Sequence, residues 1–396
     1  MRRLSWFETF LIVLLFTAGC QTAPRQHEPM AAPLPVVAVP EALTLATPSP
    51  LPALPPEPNV PPIVAEFRAG TEQVTNTSAI AQGGPPLPPE TTAPTGIPWP
   101  KEWVNAWVPL ESWGRFNGLG KPSQVTSGSN AVFQLQTSNG LVLLKIGSHM
   151  AHVGGLEFGL GFAPRLIRGL PYVHSLDAQK TLQVLLSALL PWPSGERVIV
   201  IDPGHGGRDS GTRSIVGREY EKDFTLDWAL RLQRHLAASH CKVILTRTND
   251  IDVPLADRVQ IADRAGADLF VSLHLNSGGS NHELAGIETY CLTPTGMPSN
   301  LVRGYDDDLH ENHPNNHFDD QNVRLASRVH RSLLQATSGV DRGVRRARFM
   351  AVLRGQNRPA ILIEGGYLSN AGEARRLANP EYRETLAEAV AKALLE

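Results

Sequence analysis

The chain has 396 residues, enough for two or three domains, with 36 basic and 38 acidic side chains. A formal charge of −2, with no basic stripe and no interleaved aromatics, gives nucleic acid no footing as a partner. Only three cysteines are present, too few for a disulfide scaffold and without metal-site spacing.

The first twenty residues read as an export signal. Arg2 and Arg3 precede an apolar run from Phe10 to Phe16, which ends in Thr17-Ala18-Gly19-Cys20. That run is too short to span a bilayer comfortably. Ala-Gly-Cys before a mature chain resembles a bacterial lipobox, so Cys20 is expected to carry lipid. Thr17 and Glu8 depart from that pattern. Gln21 after the cysteine favours the outer membrane, by resemblance to Gram-negative lipoproteins.

Residues 21–98 are expected to form a disordered, proline-rich linker. Twenty of the chain's 33 prolines fall between Gln21 and Pro100, and no apolar period is sustained there. Drawn out as polyproline II, such a tether reaches on the order of 200 Å.

A small β-rich accessory domain is expected over residues 99–193. Trp99, Trp103, Trp107 and Trp113 cluster at its start, suited to core packing or to a carbohydrate platform. Strand-like runs Ala131–Gln136 and Leu141–Ile146 flank Ser138-Asn139-Gly140, a hairpin signal, and a second pair surrounds Gly154-Gly155. Ser175–Leu190 reads as a helix.

From residue 196 to 396 strands and helices alternate. That pattern predicts an α/β layered domain with a mostly parallel central sheet flanked by helices. Strands are expected at Val198–Asp202, Lys242–Thr246, Leu269–Leu273, Ile287–Leu292 and Ala360–Glu364. Helices are expected at Asp223–Ser239, Leu255–Ala265, Val323–Thr337 and from Asn379-Pro380 to Leu395. Cys241 and Cys291 lie in two of the strand-like runs and suit buried thiols.

Three of these strands end on groups that can do chemistry. His205 follows Val198–Asp202 across Pro203-Gly204, His274 ends Leu269–Leu273, and Glu364 ends Ala360–Ile363. Carboxyl ends of strands are where open α/β sheets bind ligands. Two histidines need a third ligand, and Zn²⁺ accepts carboxylate oxygen; Glu221 and Glu219, before the next helix, are both candidates by spacing. Three protein ligands leave a position for water, and a second carboxylate, Glu364, can then serve as general base and acid.

These residues resemble a known family. Asp202-Pro203-Gly204-His205-Gly206-Gly207, Glu221-Lys222, Ser272-Leu273-His274-Leu275-Asn276 and Ile363-Glu364-Gly365-Gly366-Tyr367-Leu368-Ser369-Asn370 occur in the order seen in zinc-dependent N-acetylmuramoyl-L-alanine amidases of the cell-division type. The likeness covers about Val198 to Leu395. It implies a zinc ion on His205, Glu221 and His274, with Lys222 deciding against Glu219, and Glu364 as the catalytic carboxylate. The implied reaction is hydrolysis of the amide joining N-acetylmuramic acid to L-alanine in peptidoglycan. The rival readings are a non-catalytic wall-binding lipoprotein and a zinc peptidase or deacetylase on another amide. Gly365-Gly366 departs from the family's usual pattern beside the glutamate.

The stretch Thr293 to Phe318 is the least regular in this domain. His310, His313 and His317 could be read as a second metal site, but Pro314 and the Asn-rich context favour a solvated loop. Some division amidases carry an inhibitory helix near here, so the loop is expected to gate the cleft, with Glu311 as its plug. Expected partners are peptidoglycan, a membrane through the N-terminal lipid, and a protein activator.

Overall fold

The computed structural model describes residues 98–186, 196–239, 241–301 and 308–396. The signal, Cys20, nearly all of the linker, the end of the Ser175–Leu190 helix and Asp306-Asp307 lie outside the described residues. Among the described residues no helix is long and apolar enough to cross a membrane.

The amino-terminal half contributes eight strands: β1 (Trp107–Pro109), β2 (Ser123–Thr126), β3 (Val132–Thr137), β4 (Gly140–Lys145), β5 (Met150–Val153), β6 (Leu156–Gly159), β7 (Arg165–Ile167) and β8 (Leu170–His174). Six more follow in the α/β region: β9 (Arg197–Pro203), β10 (Cys241–Leu245), β11 (Leu269–Asn276), β12 (Ile287–Cys291), β13 (Asp341–Arg346) and β14 (Ala360–Tyr367). Both hairpins fall where glycine permits the turn: Gly140 has φ +108°, and Gly154 and Gly155 have φ +58° and +84°.

In the α/β region the strand order is β10-β9-β11-β14-β12-β13. Every neighbouring pair there is parallel except β14–β12. The central strands β9, β11 and β14 are near-continuous apolar runs because helices cover both faces. Glu221–Ala237, Asp319–Thr337 and Pro380–Leu395 pack together on one core cluster, while Leu255–Ala265 serves a second. Leu255–Ala265 stops at Gly266, in the left-handed conformation at φ +59°, and Asn379 caps Pro380–Leu395 by accepting from the Glu381 N–H.

The amino-terminal hairpins continue this same sheet. Strands β6, β5, β4, β3 and β2 follow β13, through a parallel pairing at Val344 and Phe158, giving eleven strands in all. Residues 99–186 are therefore joined to the α/β region by backbone pairing and by a shared apolar core. The tryptophans act mainly as packing. Trp113 is fully buried, Trp99 and Trp103 meet each other and Phe116 edge to face, and Arg165 lies 3.5 Å above the Trp107 ring.

Two elements escape a reading by pattern. Strand β13 reads Asp-Arg-Gly-Val-Arg-Arg, too charged to look like a sheet interior; its arginines are answered by Glu288 and by backbone carbonyls. Ala371–Ala378 is short, but Asn370 caps it by accepting from the Gly372 and Glu373 N–H groups. Cys241 and Cys291 are free and buried, as expected, and burial pushes the Cys291 thiol up.

The helix beginning at Ser175 buries Asp177, whose oxygens accept the Gly161 and Phe162 N–H groups at 2.8 Å each. Burial outweighs those bonds and the nearby Arg346, and pushes the carboxyl up to about 6 from its ordinary 3.8. A raised carboxyl contributes stability that is complete below about pH 4 and is lost as pH rises through about 6. Asp177→Asn should therefore lose less stability than the wild type between pH 4 and pH 7, read as denaturant midpoints. Equal losses in both proteins would contradict this.

Candidate functional site

The carboxyl ends of β9, β11 and β14 lie side by side, and the expected groups gather there. Beyond β9 the chain passes Gly204 and enters a tight loop in which His205 itself is left-handed, at φ +63°. A non-glycine residue rarely holds that conformation unless its surroundings impose it. Here two buried arginines do so. Arg247 donates to the carbonyls of Pro203, Gly204 and Lys222; Arg258 donates to those of Pro203 and His205.

Arg258 is oriented in turn by Asp202, fully buried at the end of β9, at 2.7 Å. The remaining valences of Asp202 accept the Thr246 and Ser272 hydroxyls at 2.6 and 2.8 Å. Removing one partner of such a buried pair typically costs about 3–5 kcal/mol, because the other charge stays buried without it. Arg258→Met should lose stability on that scale in urea denaturation; a loss under about 1 kcal/mol would show that the loop does not depend on the pair.

Glycines keep the neighbouring backbone close to the imidazoles. A side chain at Gly204 would meet the His274 ring at 2.4 Å, and one at Gly211 would meet Glu221 at 2.6 Å and His205 at 2.7 Å. Gly211→Ala should displace these groups and strain a backbone at φ +63°. Its expected signature is a large loss of metal affinity for a modest loss of thermal stability; unaltered metal affinity would refute it.

Glu221 opens the helix Glu221–Ala237, with its carboxylate turned inwards and only 3% of the residue exposed. Oε1 lies 3.1 Å from His205 Nε2 and 2.9 Å from His274 Nδ1, and it accepts the Leu275 N–H at 2.9 Å. Oε2 accepts the Thr212 N–H at 3.0 Å. Burial alone would raise this carboxyl, but the hydrogen bonds from His205 and His274 outweigh it and hold it well below the usual range. For His205, burial pulls downwards, while Glu221 and Asp209 prevail and raise the imidazole above its ordinary value. Glu219, by contrast, is exposed and binds its own local backbone. Lys222 anchors the loop, donating to the Gly207 carbonyl at 2.9 Å and to Asp250 at 2.7 Å.

The donor atoms of His205, Glu221 and His274 lie within 4.8 Å of one another. Two imidazoles and one carboxylate are the donor set of an open, catalytic kind of zinc centre, whose bond lengths near 2.0–2.2 Å put tetrahedral donors roughly 3.3 Å apart. The observed donor separations are close to that spacing. Asp209 strengthens the fit: its carboxylate lies 2.9 Å from the far nitrogen of His205, the arrangement that fixes the tautomer of a metal-binding histidine. Its position four residues after His205 was the only signal of this in the sequence.

Glu364 sits in β14 directly opposite His274 in β11, and opposite Glu288 in β12 on its other side. Within the Gly365-Gly366 pair, which departs from the family's usual pattern, a side chain at Gly365 would meet the Trp228 ring at 2.8 Å. Glu311 is placed elsewhere: its carboxylate lies 3.4 Å from His313, and its carbonyl accepts from Arg348. Among the described residues His310, His313 and His317 form no metal-capable group, and Pro314–Phe318 is one short 3₁₀ turn. A second cluster, His235, Glu384 and Glu388, is already satisfied in part by Arg231 beside Glu384.

Residues 199–396 match the family model described as N-acetylmuramoyl-L-alanine amidase. The sporulation-specific N-acetylmuramoyl-L-alanine amidase of Bacillus subtilis (strain 168) is 33% identical over 198 residues, covering 50% of this chain and 66% of the relative. AmiA of Escherichia coli (strain K12), an N-acetylmuramoyl-L-alanine amidase, is 29% identical over 224 residues, covering 51% of this chain and 76% of AmiA. Among solved structures, the catalytic domain of the amidase CwlV from Bacillus (Paenibacillus) polymyxa var. colistinus is 33% identical. It covers 50% of this chain and 96% of that domain, with a TM-score of 0.42. The chain thus spans just under two thirds of the first of these curated relatives.

Proposed function

Because the chain belongs to the N-acetylmuramoyl-L-alanine amidase family, we propose that it hydrolyses the amide between N-acetylmuramic acid and L-alanine in peptidoglycan, with one zinc ion as cofactor. The observation that carries this reading is the convergence of His205, Glu221 and His274, with Glu364 one strand away in register. His205, Glu221 and His274 would hold the ion, which when bound supplies a Lewis acid that lowers the pKa of water and polarises the scissile carbonyl.

The chain's own groups do the rest. Asp209 and the Leu275 and Thr212 N–H groups hold His205 and Glu221 in position before substrate arrives. Glu364 takes the proton of the attacking water and returns it to the departing alanine nitrogen, the work of a general base and then a general acid. The glycine loop around His205 leaves a low floor for a polymeric substrate.

The wider arrangement follows from the sequence. A lipid on Cys20 tethers the protein in the cell envelope, at the outer membrane, and residues 21–98 give the catalytic region reach to the wall. Residues 99–186, whose hairpins extend the central sheet, would serve as an accessory element of the same body. A protein activator would act on this catalytic region. Wall remodelling or daughter-cell separation is the role these parts suit.

Purified sacculi digested with the protein, with and without a chelator, provide the test. Mass spectrometry should find glycan strands freed of whole peptide stems, only when metal is present. Cuts within the stem would overturn the assignment. For the anchor, Cys20→Ser should move the protein from the membrane to the soluble fraction.

A further inference from the structure

A hollow of about 440 Å³ lies where the helix Asp319–Thr337 meets the amino-terminal hairpins, lined by none of the metal-capable or catalytic groups. Arg324, Arg328 and Arg331 face it together, because steps of four and three residues return to one side of a helix. Lys392 and Glu396 border it from the last helix, and the hairpin turns contribute Asn139 and Gly154. Val153, Phe158, Val184 and Leu185 give it an apolar wall.

The rim is held in place by hydrogen bonds. Arg331 donates from Nη1 to the Gly154 carbonyl at 3.0 Å, and Asn139 donates to the Leu185 and Leu186 carbonyls at 2.9 and 3.2 Å. Arg324 and Arg328 are half-buried, which sets them apart from a solvated charged face. Burial lowers both guanidiniums from their ordinary value. Asp320 offsets this in part at Arg324 and Glu396 at Arg328, where Arg197 adds to it. Asp320 is shared with Lys180 at 3.8 Å, and Glu396 with Lys392 at 3.9 Å. Residues 187–195, which continue from Leu186, contain no charged side chain. Among the described residues, basic groups around the hollow therefore outnumber acidic ones, even with both carboxylates of Glu396 counted.

Three guanidiniums on one helix face suit an anion that presents oxygens in several directions. A phosphate monoester does so, with three acceptor oxygens and a charge of about −1.5 to −2, where a carboxylate offers one charge. The volume falls within the range of small-molecule sites, about 300–1,000 Å³, which leaves room for an organic body against the apolar wall. We propose that this hollow binds a phosphate monoester, with Arg324, Arg328 and Arg331 on the phosphate and Val153, Phe158 and Leu185 against the organic part. The site is separate from the hydrolysis and does not depend on it. A ligand there bridges the helix and the hairpin turns. Soluble esters and lipid headgroups share this chemistry, and the experiment separates them.

The full chain, with zinc added, is titrated with glucose 6-phosphate and with glucose in chloride buffer of fixed ionic strength, by calorimetry. Phosphatidylcholine vesicles with and without phosphatidic acid test the lipid source, using the Cys20→Ser chain so that lipid on Cys20 does not hold them. Saturable binding of glucose 6-phosphate, with none of glucose, assigns a soluble ester. Preference for phosphatidic acid without it assigns a lipid headgroup. Arg328→Gln or Arg331→Gln should weaken the binding about tenfold or more, the usual loss for a hydrogen bond to a charged group. Arg331 is exposed, so Arg331→Gln is expected to fold and to digest sacculi as wild type does. Binding of neither phosphate source overturns the inference. Binding that both variants leave unchanged also overturns it, because the phosphate would then sit elsewhere, as on the metal.

Discussion

Replacing Glu364 with glutamine is expected to lower kcat on muramoyl-L-alanine amides by about 10²–10⁴, the usual worth of a positioned general base. The substitution keeps the shape of the side chain and removes only its ability to take a proton. Glu364 stands beside the metal-capable trio rather than within it, so metal content should stay near wild type. Stability should change little, because β14 is held by its ladders to β11 and β12 and by the apolar residues before position 364. Initial rates with a defined substrate, metal analysis and a thermal melt together decide the matter. Glutamine at wild-type activity would remove Glu364 from the mechanism. Lost metal would instead make it a ligand.

Metal removal should have the larger effect on turnover, reducing hydrolysis to background, with recovery on adding zinc. His274→Ala should be equally inactive and should not recover at stoichiometric zinc, because Glu221 and His205 alone make a two-point site. Both proteins should nevertheless remain folded. The loop geometry is set by Arg247, Arg258 and Asp202, and the one of these bonds that reaches the trio ends on the His205 backbone carbonyl, not on a metal-binding side chain. A circular dichroism spectrum of the chelated protein that matched an unfolded chain would show that the metal is structural.

The sequence carried the α/β half well, for a physical reason. Buried parallel strands must be apolar throughout, so the runs ending at His205, His274 and Glu364 stand out against any background. The helix Leu255–Ala265 was legible to the residue, because its apolar spacing ends at a glycine that the left-handed cap requires. Strand β13 was not legible as sheet, since four of its six residues are charged and only their partners elsewhere make them tolerable inside. Glu288 was equally silent: nothing near it in the chain announces that it will be buried against Arg342 and Tyr290.

The sequence by itself therefore determined the layered α/β architecture, the identity of the chemical groups and the strand ends that present them. These follow from local rules of apolar patterning and turn chemistry, and from a family likeness carried by four motifs in order. Tertiary structure alone decided between Glu219 and Glu221 on physical grounds, by burying one and leaving the other in solvent. It alone placed Asp209 behind His205, set Glu311 against His313, and joined the amino-terminal hairpins to the central sheet through a pairing at Val344 and Phe158. Such contacts link positions whose separation in the chain carries no period, so they come into being only when the strands are laid side by side.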